Sequence, residues 1–423
     1  ILNLIVKEKE LWSNWWYNKG RWYILEIRII KGTNKIGGCI TEIISKNTRI
    51  LIDFGNDLED TKESFELDGL TYNKSKYNAV FITHSHMDHI GLINKINEDI
   101  PVYVEENSLK IYNITCDFCV EDKLTRKINT FKIYDEIQIG DIKVTPYRVD
   151  HSSYNSCMFV IECENKKILH TGDFRLHGRK KDETLNNLKR IGKVDLLITE
   201  GTSLSRNILE YDTEEELEKE ALEYIKKYDQ VFIMHSSTNI DRTISFIKSA
   251  LKTGKNYILD LFTYSLNKVV NMNIKVDYKR IFVWIPLRYS YKDETFKNKY
   301  MGFDNSSFFG KKYAMNVKVS MLDDIKKLKE KGLITNACLI YSMWSGYIKK
   351  EEKLRNFIDE IENMGIEFKE LHTSGHADIN SMIKLNEIVN PDKTIIIHTE
   401  NREKGKNIFN DIVDLNDNEF LKL

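Results

Sequence analysis

The sequence predicts an α/β protein in which a strand-rich domain is interrupted by an inserted α/β domain and then completed by the C-terminal segment. Three observations indicate this. Short β-branched and aromatic runs dominate the first half, strands alternate with amphipathic helices from about Thr213, and a helix, a strand and a last helix are predicted after that region. The length of 423 residues also favours more than one core.

The first half shows period-two alternation or short apolar runs between turn residues. Its predicted strands are WYILEIRII, CITEII, RILIDFG, AVFITH, PVYVEE, IKVTPYRV, SCMFVIE and KKILHTGDF. Helical patterns are few in this part, and GLINKINED is the best candidate.

The alternating region begins with TEEELEKEALEYIKKY, a predicted helix with acidic residues in its first turn. The strand QVFIMHS follows, and then DRTISFIKSALKTG, YILDLFT, IFVWIPL, MLDDIKKLKEKG, CLIYSM and KKEEKLRNFIDEIENMG. Such alternation predicts a largely parallel sheet covered on both faces. The tail adds the helix INSMIKLNEIVN, the strand TIIIHT and a last helix. We therefore predict a strand-rich domain from 1–205 and 366–423, with an insertion over 206–365.

Composition excludes several classes of protein. The net charge is −1 and the pI is near 6.9, so any nucleic-acid contact must come from a local basic groove. No apolar run reaches the roughly 18 residues of a membrane helix, and the N-terminus lacks the features of a secretory signal. The six cysteines are scattered, which predicts free thiols in a reducing cytoplasm. A zinc or redox role for the lone CxxC, Cys116–Cys119, is the alternative.

The hexapeptide HSHMDH (residues 84–89) follows the apolar run NAVFIT directly. His84 and His86 lie on one side of an extended segment and can close on one metal ion. Asp88 and His89 follow where the chain turns, and they can take a second ion. Neutral imidazole and carboxylate are the ligands expected for zinc and similar ions.

Further polar residues lie at the ends of predicted strands or in the turns after them, where a rigid sheet positions side chains that loops leave reachable. They are His151, Asp173, Glu200, His376, His398 and the loop HSSTN (His235–Asn239). A pair of ions needs about three or four ligands each and a bridging carboxylate. We therefore assign His84, His86 and His151 to the first ion, Asp88, His89 and His398 to the second, and Asp173 to both.

The HSSTN loop opens the predicted helix DRTISFIKSAL, so Ser237 or Thr238 would serve as its N-cap. Alternatively, the loop hydroxyls and the helix N-terminus grip a backbone phosphate. The predicted substrate-binding residues are Ser236, Ser237, Asn239, Ser374 and Gly375. Candidates for a basic groove are Arg175, Arg179, Lys180, Lys181 and Arg242, although charged runs usually only solvate a face.

The ordered motifs HSHMDH, His151, HTGDF and His398 resemble those of the metallo-β-lactamase superfamily. Glu200 in ITEGTS, His376 in SGHAD and His398 in IIIHTEN resemble the three additional motifs of its β-CASP branch, which includes ribonuclease J and the mRNA 3′-end-processing endonuclease. The resemblance runs from about Gly32 to Arg402 and is strongest to ribonuclease J-like proteins, through GTNKIGGC and SGHAD. It implies an αββα sandwich with a β-CASP domain inserted between Glu200 and His376.

The resemblance also implies a cytoplasmic metal-dependent phosphodiesterase that acts on single-stranded RNA as an exonuclease, an endonuclease or both, with DNA as the alternative substrate. Two divalent ions, Zn²⁺ or alternatively Mn²⁺, would activate a water molecule. Asp88, Glu200 and His376 are the predicted catalytic residues, with His376 as general acid and Glu200 orienting its ring. The expected partner is RNA without a membrane, and a homodimer is compatible with the sequence.

Other functions remain open on sequence grounds. A small-molecule metallohydrolase acting on thioesters or lactones would not need Glu200, His376 or the insertion. A catalytically dead binding subunit would typically lose ligands, and a diiron redox protein would carry a flavin module. Two departures from ribonuclease J leave the preferred substrate open: YSMWSGY (Tyr341–Tyr347) differs from the corresponding stretch, and the chain ends soon after His398, so we expect no counterpart of the C-terminal domain.

Overall fold

The structure is a computed structural model, and it describes residues 25–58, 65–119, 123–269, 278–284 and 312–423. The first sheet has seven strands and changes from antiparallel to parallel pairing along its width. Its strands are β1 (Glu26–Lys31), β2 (Ile40–Ile44), β3 (Arg49–Ile52), β4 (Ala79–Phe81), β5 (Val102–Glu105), β6 (Asn129–Phe131) and β19 (Phe420–Lys422), in the spatial order β19-β1-β2-β3-β4-β5-β6. Pairing is antiparallel from β19 to β3 and parallel from β3 to β6.

The second sheet has six strands and supplies the other half of a sandwich. Its strands are β7 (Ile137–Ile139), β8 (Ile142–Arg148), β9 (Cys157–Cys163), β10 (Lys166–His170), β11 (Leu196–Glu200) and β18 (Lys393–Ile397), in the order β18-β11-β10-β9-β8-β7. The two sheets share one apolar core, in which the ring of Phe81 meets that of Phe159 edge to face at 5.8 Å. Because apolar side chains from both sheets fill this core, the two sheets pack face to face.

Helices cover the outer faces of the sandwich. These helices are α1 (Met87–Ile90), α2 (Glu106–Cys119), α3 (Lys181–Ile191) and α10 (Ile379–Val389). Tyr112 of α2 is buried against Val80 and Val102 of the first sheet. Leu188 and Met382, from α3 and α10, join the cluster on the outer face of the second sheet. The predicted αββα sandwich is therefore confirmed.

The third sheet lies between β11 and β18 in the chain, and all of its described pairings are parallel. Its strands are β12 (Gln230–Met234), β13 (Asn256–Asp260), β14 (Ile281–Trp284), β15 (Tyr313–Asn316), β16 (Ala337–Tyr341) and β17 (Glu367–Glu370), in the order β14-β13-β15-β12-β16-β17. The accompanying helices are α4 (Glu214–Lys227), α5 (Ile240–Lys252), α6 (Leu261–Val269), α7 (Leu322–Glu330), α8 (Gly346–Lys350) and α9 (Glu352–Asn363). Apolar clusters lie on both faces, which confirms the inserted α/β domain.

Some local predictions were wrong. The last helix predicted for the tail is a 3₁₀ turn (Arg402–Asn407), and the chain ends instead in β19, which pairs with β1. GLINKINED forms only the 3₁₀ turn Ile93–Lys95, because the helix that begins at Met87 stops before Gly91. None of the described helices combines the length and apolar character that crossing a bilayer requires. Cys39, Cys157, Cys163 and Cys338, which were predicted as free thiols, are buried and free.

Candidate metal centre and active site

The HSHMDH segment leaves the carboxyl end of β4 and turns into α1. Nε2 of His84 lies 3.1 Å from Nδ1 of His86, and Nε2 of His151, which follows β8, lies 3.2 Å from the same atom. Three imidazole nitrogens thus converge around one point. These residues are the three predicted ligands of a first ion.

The second predicted group also converges. Nε2 of His398, which follows β18, lies 3.2 Å from Oδ2 of Asp88, and Nε2 of His89 lies 3.6 Å from that oxygen. Zinc–nitrogen bonds of about 2.0–2.1 Å in a tetrahedron place ligand atoms roughly 3.3 Å apart. The spacings in both groups are therefore those of a set of metal ligands.

Asp173 lies between the two groups. Its Oδ2 is 3.3 Å from Nε2 of His89 and 3.8 Å from Nε2 of His84, His151 and His398. Because one oxygen reaches ligand nitrogens of both groups, this side chain has the position of a bridging carboxylate. Among the described residues, Nε2 of His89 is buried without a hydrogen-bond partner, as expected of an atom that binds a metal ion.

Hydrogen bonds on the far side of each ring fix which nitrogen faces the centre. Nδ1 of His151 lies 2.6 Å from the carbonyl oxygen of Gly375, which only accepts, so Nδ1 carries the proton and Nε2 has the free lone pair. Nδ1 of His398 lies 2.8 Å from the hydroxyl of Thr202. Such outer contacts orient histidine ligands for metals.

Asp53 and Thr83 belong to this outer layer, and sequence reasoning missed both. Oδ2 of Asp53 lies 2.8 Å from Nδ1 of His89, and Oδ1 accepts a hydrogen bond of 2.7 Å from the Thr83 amide. The Thr83 hydroxyl lies 3.0 Å from Nδ1 of His84. Asp53 ends the run RILID, so its position at a strand end was a signal that could have identified it.

Burial and nearby charges give the histidines of the cluster different pKa values. Desolvation is the main cause of the low pKa values of His84 and His151, which lie well below the usual value. It also lowers the pKa of His86, to about 4. These rings are neutral at pH 7, which is the form that binds metal. For His89, burial favours the neutral ring, but the charges of Asp173 and other carboxylates outweigh it and raise the pKa.

His376 and Glu200 form a hydrogen-bonded pair beside the cluster. Nδ1 of His376 lies 3.1 and 3.0 Å from the two carboxylate oxygens of Glu200. The Glu200 carboxylate also accepts from the amides of Phe174 at 2.9 Å and Thr202 at 3.3 Å, so its position is fixed. The His376 side chain is 23% exposed and Glu200 is buried, which leaves the imidazole as the member of the pair that reaches the cleft.

The charge of the pair determines the state of the His376 ring. Burial lowers its pKa, but Glu200 and Asp173 reverse that effect and raise the pKa to about 9. The ring is therefore protonated at neutral pH. Because Nδ1 faces Glu200, Nε2 lies on the opposite side of the ring and carries the other proton.

Ser374 and Gly375, predicted to bind substrate, hold the loop that carries His376. The Ser374 hydroxyl accepts from the His376 amide at 3.0 Å. The Ser374 carbonyl oxygen accepts from Nη1 of Arg175 at 3.0 Å and lies 2.9 Å from Nε2 of His177. These hydrogen bonds join the loop to the rest of the protein. Substrate contact by Ser374 and Gly375 therefore stays a prediction.

The HSSTN loop differs from the expectation in its capping. The N-cap of α5 is Asn239, whose side chain accepts from the Arg242 amide at 3.0 Å; it is not Ser237 or Thr238. Ser237 is buried and its hydroxyl lies 2.7 Å from that of Thr263. Ser236 is exposed. Within this loop, Ser236 is the predicted substrate-binding residue that solvent reaches.

Arg175 and Arg242 do not line a groove, because both side chains are fully buried. Nε of Arg242 lies 2.8 Å from Oε1 of Glu214, and its Nη2 donates to the Thr373 carbonyl oxygen at 2.9 Å. Nε of Arg175 lies 3.0 Å from Oδ1 of Asp150. These arginines join the inserted sheet to the loops that carry His151 and His376, and this buried ionic network was not foreseen.

Comparison with known proteins gives two family matches. Residues 48–235 match the beta-lactamase superfamily domain, and residues 363–406 match the Zn-dependent metallo-hydrolase RNA specificity domain. The first range contains HSHMDH, His151, Asp173 and Glu200, and the second contains His376 and His398. Together they include the histidine, aspartate and glutamate motifs of the sequence resemblance, whereas GTNKIGGC (Gly32–Cys39) lies before the first range.

Similar proteins include ribonuclease J of Helicobacter pylori, 23% identical over 418 residues that cover 89% of this chain and 56% of that protein. Ribonuclease J of Mycoplasma genitalium is 27% identical over 219 residues, which cover 50% of this chain and 37% of the relative. The chain thus spans between about a third and just over half of these relatives' length. A crystal structure of a protein of unknown function from Enterococcus faecalis V583 shares the fold, with a TM-score of 0.78, 22% identity and coverage of 95% of this chain and 100% of that one.

Proposed function

Because the chain belongs to the metallo-β-lactamase superfamily, in its β-CASP, ribonuclease J-like branch, we propose that it is a metal-dependent ribonuclease that hydrolyses phosphodiester bonds of single-stranded RNA. One observation carries the proposal: two groups of metal-ligand atoms share the Asp173 carboxylate, and the hydrogen-bonded pair of His376 and Glu200 lies beside them. Metal ions and a proton donor are what cleavage of a phosphodiester requires.

The proposed ligands divide as their positions indicate. His84, His86 and His151 would hold one ion, Asp88, His89 and His398 a second, and Asp173 would contact both. We infer zinc, because imidazole and carboxylate at tetrahedral spacing suit it, and Mn²⁺ is the alternative. Bound ions supply Lewis acidity, which activates water and neutralises charge on the phosphoryl oxygens.

Side chains of this protein carry out the proposed proton transfer. Glu200 accepts from Nδ1 of His376 and keeps the ring charged, so Nε2 can give its proton to the leaving oxygen of the cleaved strand. Asp88 would orient the attacking water in addition to its role as a ligand. All these residues belong to one chain, and a homodimer remains part of the proposal. We propose the cytoplasm as the compartment, because Cys39, Cys157, Cys163 and Cys338 are buried free thiols.

RNA is favoured over a thioester or a lactone as substrate. The RNA specificity domain match covers residues 363–406, which carry the proposed general acid His376 and the ligand His398. A small-molecule hydrolase of this superfamily would not need the pairing of His376 with Glu200, nor the inserted sheet.

The decisive experiment is a time course on one RNA with a 5′ label and either a monophosphate or a triphosphate end. The purified chain is assayed with Zn²⁺ or Mn²⁺ and again after chelation, and the Asp173→Ala variant serves as control. We expect cleavage that needs metal and Asp173. Early release of mononucleotides indicates a 5′ exonuclease, and early internal fragments indicate an endonuclease. An intact RNA under all metal conditions, together with hydrolysis of a lactone or thioester, would refute the proposal.

A further inference from the structure

The segment YSMWSGY (Tyr341–Tyr347) leads from the end of β16 into α8. Partial desolvation in the cleft and then the charge of Asp88 raise the pKa of the Tyr347 phenol, and Arg206 lowers it. Tyr347 is therefore within electrostatic reach of a proposed metal ligand. Its side chain is nonetheless 43% exposed, so solvent reaches the ring.

Tyr347 is one member of a three-part stack. Its ring meets that of Trp344 edge to face, with centroids 5.4 Å apart and an interplanar angle of 81°. The guanidinium of Arg206, in the turn that follows Glu200, lies over the Trp344 ring at 4.6 Å. The stack thus joins a loop of the inserted sheet to the loop that carries the partner of the general acid.

Trp344 is held firmly in this stack. A Cβ placed on Gly346 would lie 2.3 Å from the indole, so a residue without a side chain is needed there. The Trp344 carbonyl oxygen accepts from the fully buried Tyr341 hydroxyl at 3.2 Å and from the Tyr347 amide at 3.1 Å. The aromatic surface is consequently formed before any ligand arrives, which reduces the entropy cost of binding.

We propose that Tyr347, supported by Trp344 and Arg206, stacks on an unpaired nucleobase of the RNA strand beside the bond to be cleaved. This inference rests on the proposed ribonuclease function. Aromatic rings and guanidinium planes bind the faces of bases, and they tolerate any sequence because every base has such a face. Bases inside a duplex are not available to the ring, so the platform selects single strands.

A core role does not explain the arrangement. An aromatic residue that served packing alone would be buried, as Tyr341 is, whereas Tyr347 presents 43% of its side chain to solvent. Leu58, 51% exposed, is a second apolar side chain near the same carboxylate: a Cβ on Gly37 would lie 2.6 Å from Cγ of Leu58 and 3.2 Å from Oδ2 of Asp88.

The test measures binding rather than cleavage. The full chain, freed of metal with chelator, is titrated against fluorescein-labelled single-stranded RNA, and anisotropy gives the affinity. Stacking of one base predicts that Tyr347→Ala weakens binding by roughly 5- to 100-fold. Tyr347→Phe should bind like the unchanged chain, because the ring is kept. Tyr72→Ala is the matched control, since that tyrosine has the same exposure of 43%.

An RNA series with one abasic position at a time identifies the base. For the unchanged chain, one abasic position should weaken binding, and in Tyr347→Ala the same position should have no further effect. An unchanged affinity of Tyr347→Ala, an equal loss in Tyr347→Phe, or additive effects of the variant and the abasic position would overturn the inference. If RNA binds with this coupling but is never cleaved with metal present, the ribonuclease proposal fails and the platform stands. If RNA is cleaved but this coupling is absent, the ribonuclease proposal stands and the platform inference fails.

Discussion

Oδ2 of Asp53 lies 2.8 Å from Nδ1 of His89, and this contact turns Nε2 of the same ring toward Asp88 and Asp173. A carboxylate behind a histidine fixes the ring and increases its strength as a ligand. Asp53 also accepts from the amide and the hydroxyl of Thr83, whose hydroxyl contacts Nδ1 of His84. One carboxylate therefore supports a histidine of each proposed ligand group, directly for His89 and through Thr83 for His84.

Asp53→Ala should weaken zinc binding by about 10- to 100-fold while the chain remains folded, because outer partners of ligands have effects of this size. Competition with a zinc chelator measures the affinity, and circular dichroism checks the fold. Asp68→Ala is the control, since the exposed Asp68 carboxylate pairs with Lys76 and Asn73 and not with a proposed ligand. Equal zinc affinities for Asp53→Ala and the control would show that Asp53 does not support the centre.

Gly55→Ala should disrupt the HSHMDH turn. A Cβ at this position would lie 1.8 Å from the Asp88 carbonyl oxygen and 2.3 Å from the His89 amide, and both are backbone atoms that cannot move aside alone. We expect a lower melting temperature and loss of the second metal ion, read by calorimetry and metal analysis. Gly332→Ala is the comparison without a clash: no atom lies within 4 Å of its added Cβ, and its φ of +68° adds only local backbone strain outside the HSHMDH turn. If both variants retain full metal content, the close approach is unimportant.

His376→Ala should lower the rate of RNA cleavage by about 10²- to 10⁴-fold, as removal of a general acid does. Metal content should remain that of the unchanged chain. Loss of metal together with activity would identify His376 as a ligand, an arrangement that its 3.6 Å distance from Oδ2 of Asp173 also permits.

Glu200→Gln should shift the alkaline limb of the pH–rate profile. Glu200 and Asp173 raise the pKa of His376 to about 9, so the acid is protonated below that pH and is lost as the pH rises through it. With the Glu200 charge removed, the pKa falls, and activity should decline at a lower pH than in the unchanged chain. A profile that keeps its alkaline limb in place would argue against His376 as the proton donor.

Glu214 should make the fold sensitive to acid. Burial raises its pKa, but Arg242 and Arg175 outweigh that effect and lower the pKa from 4.5 to about 2. A lowered pKa contributes stability above the unfolded value, and this contribution disappears as the pH falls from about 4.5 to 2. The contribution is on the order of 3 kcal/mol.

Urea unfolding across pH 2–6 measures this dependence. In Glu214→Gln the stability should be lower at pH 6 and should vary less with pH, because the titrating group is gone while two buried arginines have lost their partner. Glu223→Gln is the control, because this carboxylate of the same helix is exposed and pairs with the exposed Lys226. Parallel pH curves for Glu214→Gln and the unchanged chain would show that Glu214 does not titrate as expected.

The sequence was informative where chemistry is concentrated at strand ends. HSHMDH, Asp173 and His398 are polar residues that interrupt apolar runs, and the structure brings them together. The insertion was also predictable, because a repeated alternation of strand and helix is a local pattern. Asp53 shares the strand-end position, but a single carboxylate gives too weak a signal without its partner His89.

Long-range partners explain most of what could not be predicted. The burial of Arg175 and Arg242 depends on Asp150 and Glu214, and a sequence does not show which charges will meet. The strand β19 forms because it pairs with β1, which lies at the other end of the described chain. The sequence of β19 alone does not indicate a strand. Helix α2 was missed because ENSLKIYNITCDFC has a weak periodic pattern.

The parallel pairing of β18 with β11 has a consequence for synthesis. A ribosome makes β11 with Glu200 first and adds His398 only after the whole third sheet has been translated. Domains fold as units while the chain emerges, so the earlier parts can already be folded when the last histidine arrives. An unfinished copy that stops before β18 therefore lacks His398, one of the proposed metal ligands.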